Sequence, residues 1–183
     1  MVIRFAALAD AQALHDIYQY YVDHTTVTFT TDNPPVAYYA EKTASPLYPC
    51  LVAEEGGAVL GFAYADRLRS QDAYLWDVEL TVYLRPGLPR RGGIGKALYE
   101  ALLPMLAAQG FRNAYGVITA DNAASIAFHQ RFGFEEAARF DNMGYKHGAW
   151  HGVVWMRKAL GTFEGIPEPP VPFPRDALSS QGA

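Results

Sequence analysis

The chain has 183 residues, half of them apolar or aromatic and 19% charged, with a formal net charge of −4. That length supports one domain with a core, and the lack of a long basic run argues against nucleic acid, whose non-specific binding needs clustered Lys and Arg. Cys50 is the sole cysteine, which rules out an intramolecular disulfide and a Cys-based metal site.

Met1-Val2-Ile3-Arg4 offers no signal-peptide core. No apolar run approaches the roughly 20 residues of a membrane span, so a cytoplasmic protein without membrane contact is expected. Val2 to Phe5 reads as a short strand. Asp10 is placed to cap a helix through Ala13, Leu14, Ile17, Tyr18, Tyr21 and Val22, which are apolar at helical spacing. Thr25 to Thr31 is β-branched and polar, hence extended or looped. Pro34-Pro35 suits the first turn of a second helix reaching about Ser45, and Pro46 and Pro49 end it. Cys50, among Tyr48, Pro49, Leu51 and Val52, reads as a buried residue rather than a catalytic one.

Leu51–Glu54 and Val59–Asp66 read as strands joined in a hairpin at Glu55-Gly56-Gly57. Ala73 to Leu84 reads as one long central strand, followed by a loop with Pro86, Gly87 and Pro89. Beyond Arg90-Arg91-Gly92-Gly93-Ile94-Gly95-Lys96 the pattern turns helical (Ile94, Leu98, Ala101, Leu102, Met105, Leu106), and Gly110 stops it. Asn113 to Thr119 reads as a buried strand. Asn122 precedes a short helix, Ala123 to Phe132, ended by Gly133. Phe134 begins another strand and Val153–Met156 is the last. From Gly161 the chain turns proline-rich, so residues 1–160 are expected to form the domain and 161–183 an extended arm or a disordered end. The order predicts an α/β protein with a mixed sheet, not the strict alternation of a doubly wound fold.

Arg90 to Lys96 is the sharpest local signal. Glycines 92, 93 and 95 leave the backbone uncrowded, and a helix start supplies free N–H groups and the positive end of its dipole. Arg90, Arg91 and Lys96 add positive charge, so a diphosphate fits. The Walker pattern fails because Ala97 follows Lys96, and the dinucleotide pattern fails for want of a third glycine. What remains is R-x-x-G-x-G at Arg90, Gly93 and Gly95, which read alone is also compatible with a helix-capping turn and solvated arginines.

With the strand before it, the helix after it, and Asn122-Ala123-Ala124-Ser125 leading into a helix that ends at Gly133-Phe134, this loop resembles the acetyl-CoA pyrophosphate site of the GNAT superfamily. Thr26-Val27-Thr28-Phe29, the stretch Ala73 to Tyr83, the segment Ser125 to Phe134 and Gly144 to His151 resemble its phosphinothricin and methionine sulfoximine acetyltransferases. The resemblance covers about residues 2–158. It implies a GNAT fold, a mixed central sheet of about seven strands flanked by about four helices. It also implies acetyl-CoA as co-substrate, no metal, a small-molecule amine acceptor and a homodimer. Arg90 stands where the family commonly has Gln, and Arg69-Ser70 looks like the version in the methionine sulfoximine and sulfone acetylators.

Amine acetylation needs a proton acceptor and stabilisation of a developing oxyanion. Glu79, a carboxylate within an apolar aromatic run, gains basicity if buried and matches the family's catalytic glutamate; the alternative is an edge carboxylate paired with an arginine. His129 matches a histidine of the subfamily site and either relays a proton, or holds CoA or caps local structure. By resemblance, the backbone of Val82, Tyr83 and Leu84 binds the pantetheine arm, with Arg90, Arg91, Gly92, Gly93, Ile94, Gly95 and Lys96 on the diphosphate. Asn122 and Ser125 would hold the cofactor too, with a plain helix N-cap as the other role for Asn122. Phe29, Arg69, Ser70 and Tyr74 are the acceptor-site residues, Arg69 being either a partner for a substrate anion or a solvated loop residue. Tyr145-Lys146-His147 and Trp150-His151 line the substrate mouth or a dimer contact. The competing functions are acetylation of a protein N-terminus or lysine, a CoA-binding sensor without turnover, and a nucleotide binder that does not use CoA.

Overall fold

The computed structural model describes residues 1–88 and 93–175. Along the chain lie β1 (Val2–Phe5), α1 (Ala11–His24), α2 (Val36–Ala44), β2 (Cys50–Glu55), β3 (Ala58–Arg67), β4 (Asp77–Leu84), α3 (Ile94–Gln109), β5 (Asn113–Thr119), α4 (Ala123–Arg131), β6 (Glu135–Lys146) and β7 (Ala149–Ala159). The seven strands form one sheet in the order β1-β2-β3-β4-β5-β7-β6. Only the β4–β5 pair is parallel; the other neighbours are antiparallel. This is the mixed sheet with four helices that the element order predicts.

Hairpin chemistry sets the ends of the sheet. Gly56 and Gly57 turn β2 into β3 with φ of 57° and 78°, the left-handed pair that a two-residue hairpin turn requires. His147 and Gly148 do the same for β6 and β7, with φ of 50° and 80°.

Alternation along β4 sends residues to two cores. Val78 and Leu80 join Leu98, Leu102 and Leu106 of α3 on one face. Tyr83 packs on the other face with Leu14 and Ile17 of α1 and Tyr39 of α2.

Three expectations change. Asp10 does not cap α1 through its side chain. It ends a short 3₁₀ turn, Leu8–Asp10, where its carboxylate accepts the Ala7 N–H at 2.7 Å and pairs with Arg4 at 2.7 Å; a nearby guanidinium outcompetes a neutral N–H of α1 for it. The strand expected from Ala73 begins at Asp77, because Asp72–Tyr74 close a 3₁₀ turn through Tyr74 N–H to Gln71 C=O at 3.1 Å and Leu75 N–H to Asp72 C=O at 3.1 Å. The last strand is not the short Val153–Met156 but the 11-residue β7, paired along β6.

The proline-rich stretch is described as far as Arg175 and runs without helix or strand along the surface of the rest of the chain. Trp76 Nε1 donates to Glu168 C=O at 2.8 Å, and the Gln109 amide donates to Leu47 C=O at 2.7 Å and Val171 C=O at 3.0 Å. Arg175 donates to the carbonyls of Thr43 at 2.8 Å and Ser45 at 3.0 Å. Proline-rich chain suits such a path because it has few N–H groups to satisfy.

Candidate active site

The site begins where two strands part. The parallel register of β4 and β5 covers only Asp77 with Asn113, Val78 with Ala114 and Glu79 with Tyr115. Both strands then continue, β4 to Leu84 and β5 to Thr119. Which main-chain groups face the gap follows from the other side of β4. Leu68 N–H donates to Asp77 C=O at 3.4 Å and Arg85 N–H to Leu60 C=O at 2.8 Å, so the odd-numbered residues bond across to β3. Leu80, Val82 and Leu84 therefore turn their N–H and C=O groups toward the gap. The Leu84 carbonyl is taken by the Tyr21 hydroxyl, which donates at 2.7 Å. The expected backbone set of Val82, Tyr83 and Leu84 thus narrows to Val82 and Leu84, since Tyr83 belongs to the β3 ladder and its ring meets Tyr18 edge-on at 4.9 Å and Tyr21 at a tilt at 4.8 Å.

The gap opens into a cleft of about 880 Å³. It gathers Phe29, Glu79, Val82, Leu84, Gly95, Asn122, Ser125 and His129 from sequence positions nearly 100 residues apart. Of the loop before α3, Arg90, Arg91 and Gly92 lie outside the described residues. Gly93 enters α3 in a left-handed conformation (φ 69°), which glycine adopts without Cβ strain. Its carbonyl accepts the Ala97 N–H at 2.9 Å, so the N–H groups of Ile94, Gly95 and Lys96 are the first-turn donors without an intrahelical partner. The Ile94 side chain is buried in the core and Gly95 lines the cleft. The Lys96 ammonium is held by Glu100 at 2.6 Å, on the helix surface.

Glu79 stands at the fork. It is half-buried, and its carboxyl is raised above the usual range by burial and by the Asp66 carboxylate, with the Arg69 charge acting the other way. A carboxylate so placed takes a proton more readily near neutral pH.

His129 is 3% exposed. Its Nδ1 donates to the Ser125 C=O at 2.8 Å, which leaves Nε2 as the acceptor for the Tyr99 hydroxyl at 3.0 Å. Burial lowers its pKa, with the Ser125 bond opposing, so the ring is neutral. Gly116 makes room for it: a Cβ there would lie 2.7 Å from Nε2. Both nitrogens are engaged, one within α4 and one with Tyr99 of α3, an arrangement suited to holding α4 on α3. Asn122 fills the capping role, its side-chain oxygen accepting the Ser125 N–H at 3.1 Å; the cap leaves its NH₂ unused.

The acceptor-side residues divide. Phe29 lines the cleft on a strap, residues 25–31, that is pinned by five hydrogen bonds. The Thr25 hydroxyl donates to Tyr21 C=O at 2.8 Å and Thr119 to Thr26 C=O at 2.6 Å. Tyr18 bonds the hydroxyls of Thr28 and Thr30 at 2.6 and 2.8 Å, and Lys146 Nζ donates to Thr28 C=O at 2.9 Å. Lys146 is 5% exposed. Gly144 admits the Phe29 ring, which any Cβ there would strike. Arg69, Ser70 and Tyr74 are exposed and do not line this cleft. Arg69 lies over the Trp155 ring at 5.8 Å, and Tyr74 sits in the 3₁₀ turn before β4. Sequence reasoning missed Tyr18, Tyr21 and the gap-facing edge of β5, Val117 to Thr119, all in the cleft wall; their aromatic or β-branched character reads as core until the strands are seen to diverge.

Comparison with known proteins gives the same picture. The family model described as acetyltransferase (GNAT) domain matches residues 3–155. A phosphinothricin N-acetyltransferase of Streptomyces viridochromogenes is 38% identical over 93% of this chain and 91% of its own length. An L-methionine sulfoximine/L-methionine sulfone acetyltransferase of Salmonella typhimurium is 35% identical over 87% of this chain and 95% of its own. A crystal structure of a GNAT superfamily phosphinothricin acetyltransferase from Sinorhizobium meliloti, in complex with acetyl-CoA, superposes with a TM-score of 0.85 at 35% identity, covering 93% of this chain and 94% of that one.

Proposed function

Because this chain belongs to the GNAT acetyltransferase family, we propose that it moves the acetyl group of acetyl-CoA onto the amine of a small amino-acid-like acceptor. The acceptor class is that of methionine sulfoximine, methionine sulfone or phosphinothricin, the compounds for which its relatives are named. The observation that carries this reading is the open β4 edge with a half-buried carboxylate at its fork. An amide-bearing pantetheine arm can add to that edge as an extra strand, bonding Val82 and Leu84 as a peptide would. The donors of Ile94, Gly95 and Lys96 face the diphosphate end, and the Asn122 amide is available to the arm.

In the proposed mechanism transfer is direct. Glu79 accepts a proton from the acceptor ammonium through a water. The freed amine attacks the thioester carbonyl carbon, and a gap-facing N–H of β4 receives the negative charge developing on the carbonyl oxygen. The C–S bond breaks as the C–N bond is completed, and the leaving thiolate takes up the proton that the new amide nitrogen sheds. Phe29 packs on the acceptor side chain, while Arg69, whose charge reaches Glu79 from outside the cleft wall, draws the acceptor's carboxylate or its oxidised sulfur or phosphorus centre toward the site. His129 positions α4 rather than relaying the proton.

A second copy of the chain is proposed to cover the β6–β7 hairpin, where Phe140, Met143, Tyr145 and Trp150 stand 44–62% exposed. Thiol release with methionine sulfoximine and phosphinothricin, wild type beside Glu79→Gln, tests the reaction. The variant is expected to lose about 10²–10⁴-fold in kcat/KM and the acid limb of its pH profile, while still binding acetyl-CoA. Full activity of Glu79→Gln across the pH range would remove the carboxylate from the mechanism.

A further inference from the structure

Glu79 does not face an empty surface. In the β3–β4 register it stands directly opposite Asp66. It also belongs to the odd-numbered set that bonds across, so the two side chains share a face with Cα atoms about 5.5 Å apart. Like charges directly opposite one another in a sheet repel. Asp66 carries its own counter-ion: Lys42 of α2 bonds its carboxylate, and the ammonium also sits 4.7 Å from the centre of the Tyr38 ring and 5.7 Å from that of Tyr64. Burial is the largest influence on Lys42 and works against its charge, yet the bond and the charge of Asp66, with Tyr38, together hold the ammonium above its ordinary value.

The other polar neighbours of Glu79 are accounted for. Arg69, beyond the end of β3, draws its basicity down. Asp77, two residues back on β4, accepts the Asn113 amide at 2.7 Å. Tyr115 of β5 is the register partner on the other side, and Arg157 of β7 stands next in that row, its guanidinium donating to the Asn113 side chain at 2.8 Å. Asp66 is thus the one carboxylate paired with Glu79 across strands among the described residues, and Lys42 is the cation bound to it.

We propose that Asp66 and Lys42 form a tuning pair for the active-site base, Asp66 raising the basicity of Glu79 through its negative field and Lys42 limiting how much of that field Glu79 feels. They are positioning residues, acting on the reaction through Glu79 without touching substrate. The inference rests on the proposed role of Glu79 for its effect on rate, but not for its effect on the carboxylate itself.

The experiment keeps these apart. Side-chain carboxyl carbons of ¹³C-glutamate-labelled protein are titrated by NMR, with Glu79→Gln identifying the Glu79 signal. The kcat/KM profile is measured on the same proteins. Asp66→Asn, nearly isosteric, is expected to move the Glu79 titration and the acid limb down by about one pH unit. Lys42→Met keeps the apolar stem against Tyr38 but bares Asp66. It is expected to move the upper step of the coupled carboxylates up by a similar amount. A Glu79 signal that stays in place in Asp66→Asn, or shifts in the same direction in both variants, overturns the tuning pair. If one variant fails to fold, the direction seen in the other decides. If the NMR shifts appear while the rate profile stays fixed, the tuning stands and the base assignment of Glu79 falls.

Discussion

At the scale of single residues, the two titratable groups at the heart of the cleft are set in opposite senses by related physics. Burial favours the neutral form of each, raising Glu79 and lowering His129. For His129 this has a stability consequence whose sign is fixed. Above about pH 6.5 both folded and unfolded chains hold it neutral. As pH falls from there, the unfolded chain binds the proton first, so stability declines until the lowered folded pKa is passed. Replacing His129 with Gln is therefore expected to cost about 1–3 kcal/mol at pH 7, through the bonds lost by Tyr99 and Ser125, and to flatten the loss of stability between pH 7 and 5. Urea unfolding at the two pH values reads both effects. The variant should keep the acid limb of the wild-type rate profile; a variant that folds normally at pH 7 but does not turn over would restore the relay role.

Residue-level legibility was uneven for the same reason. A carboxylate inside Tyr74-Leu75-Trp76-Asp77-Val78-Glu79-Leu80 announces itself, because charge in an apolar run is costly to bury. The engagement of His129 does not, since Tyr99 and Gly116 lie 30 and 13 residues away in the chain and meet it only once α3, β5 and α4 are packed. Asp66 reads from sequence as the end of a strand, and its position opposite Glu79 follows only from the register.

At the scale of elements, the strap that carries Phe29 shows what side-chain chemistry does where regular pairing is absent. Residues 25–31 form no helix or strand, so their carbonyls and hydroxyls rely on partners from α1, β5 and β6. Lys146 is the buried member of that set, with burial lowering its pKa and Asp23 opposing. Lys146→Met is expected to leave the Thr28 carbonyl without its charged donor and to loosen Phe29. Acceptor KM should rise several-fold while acetyl-CoA KM stays near wild type, with a loss of about 1–3 kcal/mol in stability. Steady-state kinetics with each substrate varied in turn checks this. An unchanged acceptor KM would detach the strap from acceptor recognition. The element order, the glycine-turned hairpin and the helix starts were legible because each depends on local spacing. The 3₁₀ turn at Asp72–Tyr74 was not, because β-favouring Tyr74 within it and Trp76 just after it mask a backbone turn decided by two local hydrogen bonds.

At the scale of the whole molecule, two surfaces matter beyond the cleft. The arm from Leu160 to Arg175 binds Trp76, Gln109 and the turn after α2, which its composition did not reveal because docking depends on which carbonyls stand nearby. The β6–β7 hairpin carries Tyr145 opposite Trp150, rings 5.5 Å apart. If a second copy covers that face, Trp150→Glu should shift the protein from dimer to monomer at micromolar concentration in sedimentation velocity, because a charge would then have to be buried at the contact. A wild-type monomer at all accessible concentrations would exclude the assembly.

The fork between β4 and β5 has one more consequence. A bare strand edge invites any extended backbone, and proteins ordinarily blunt such edges against self-association. Here the main-chain groups of Val82 and the Leu84 N–H are left open by the divergence that makes room for a ligand. The protein stripped of its co-substrate is thus the form with a vacant berth for stray peptide. Supplying CoA during purification and storage should protect against clumping as well as raise the melting temperature, since a ligand that fills the berth favours only the folded chain.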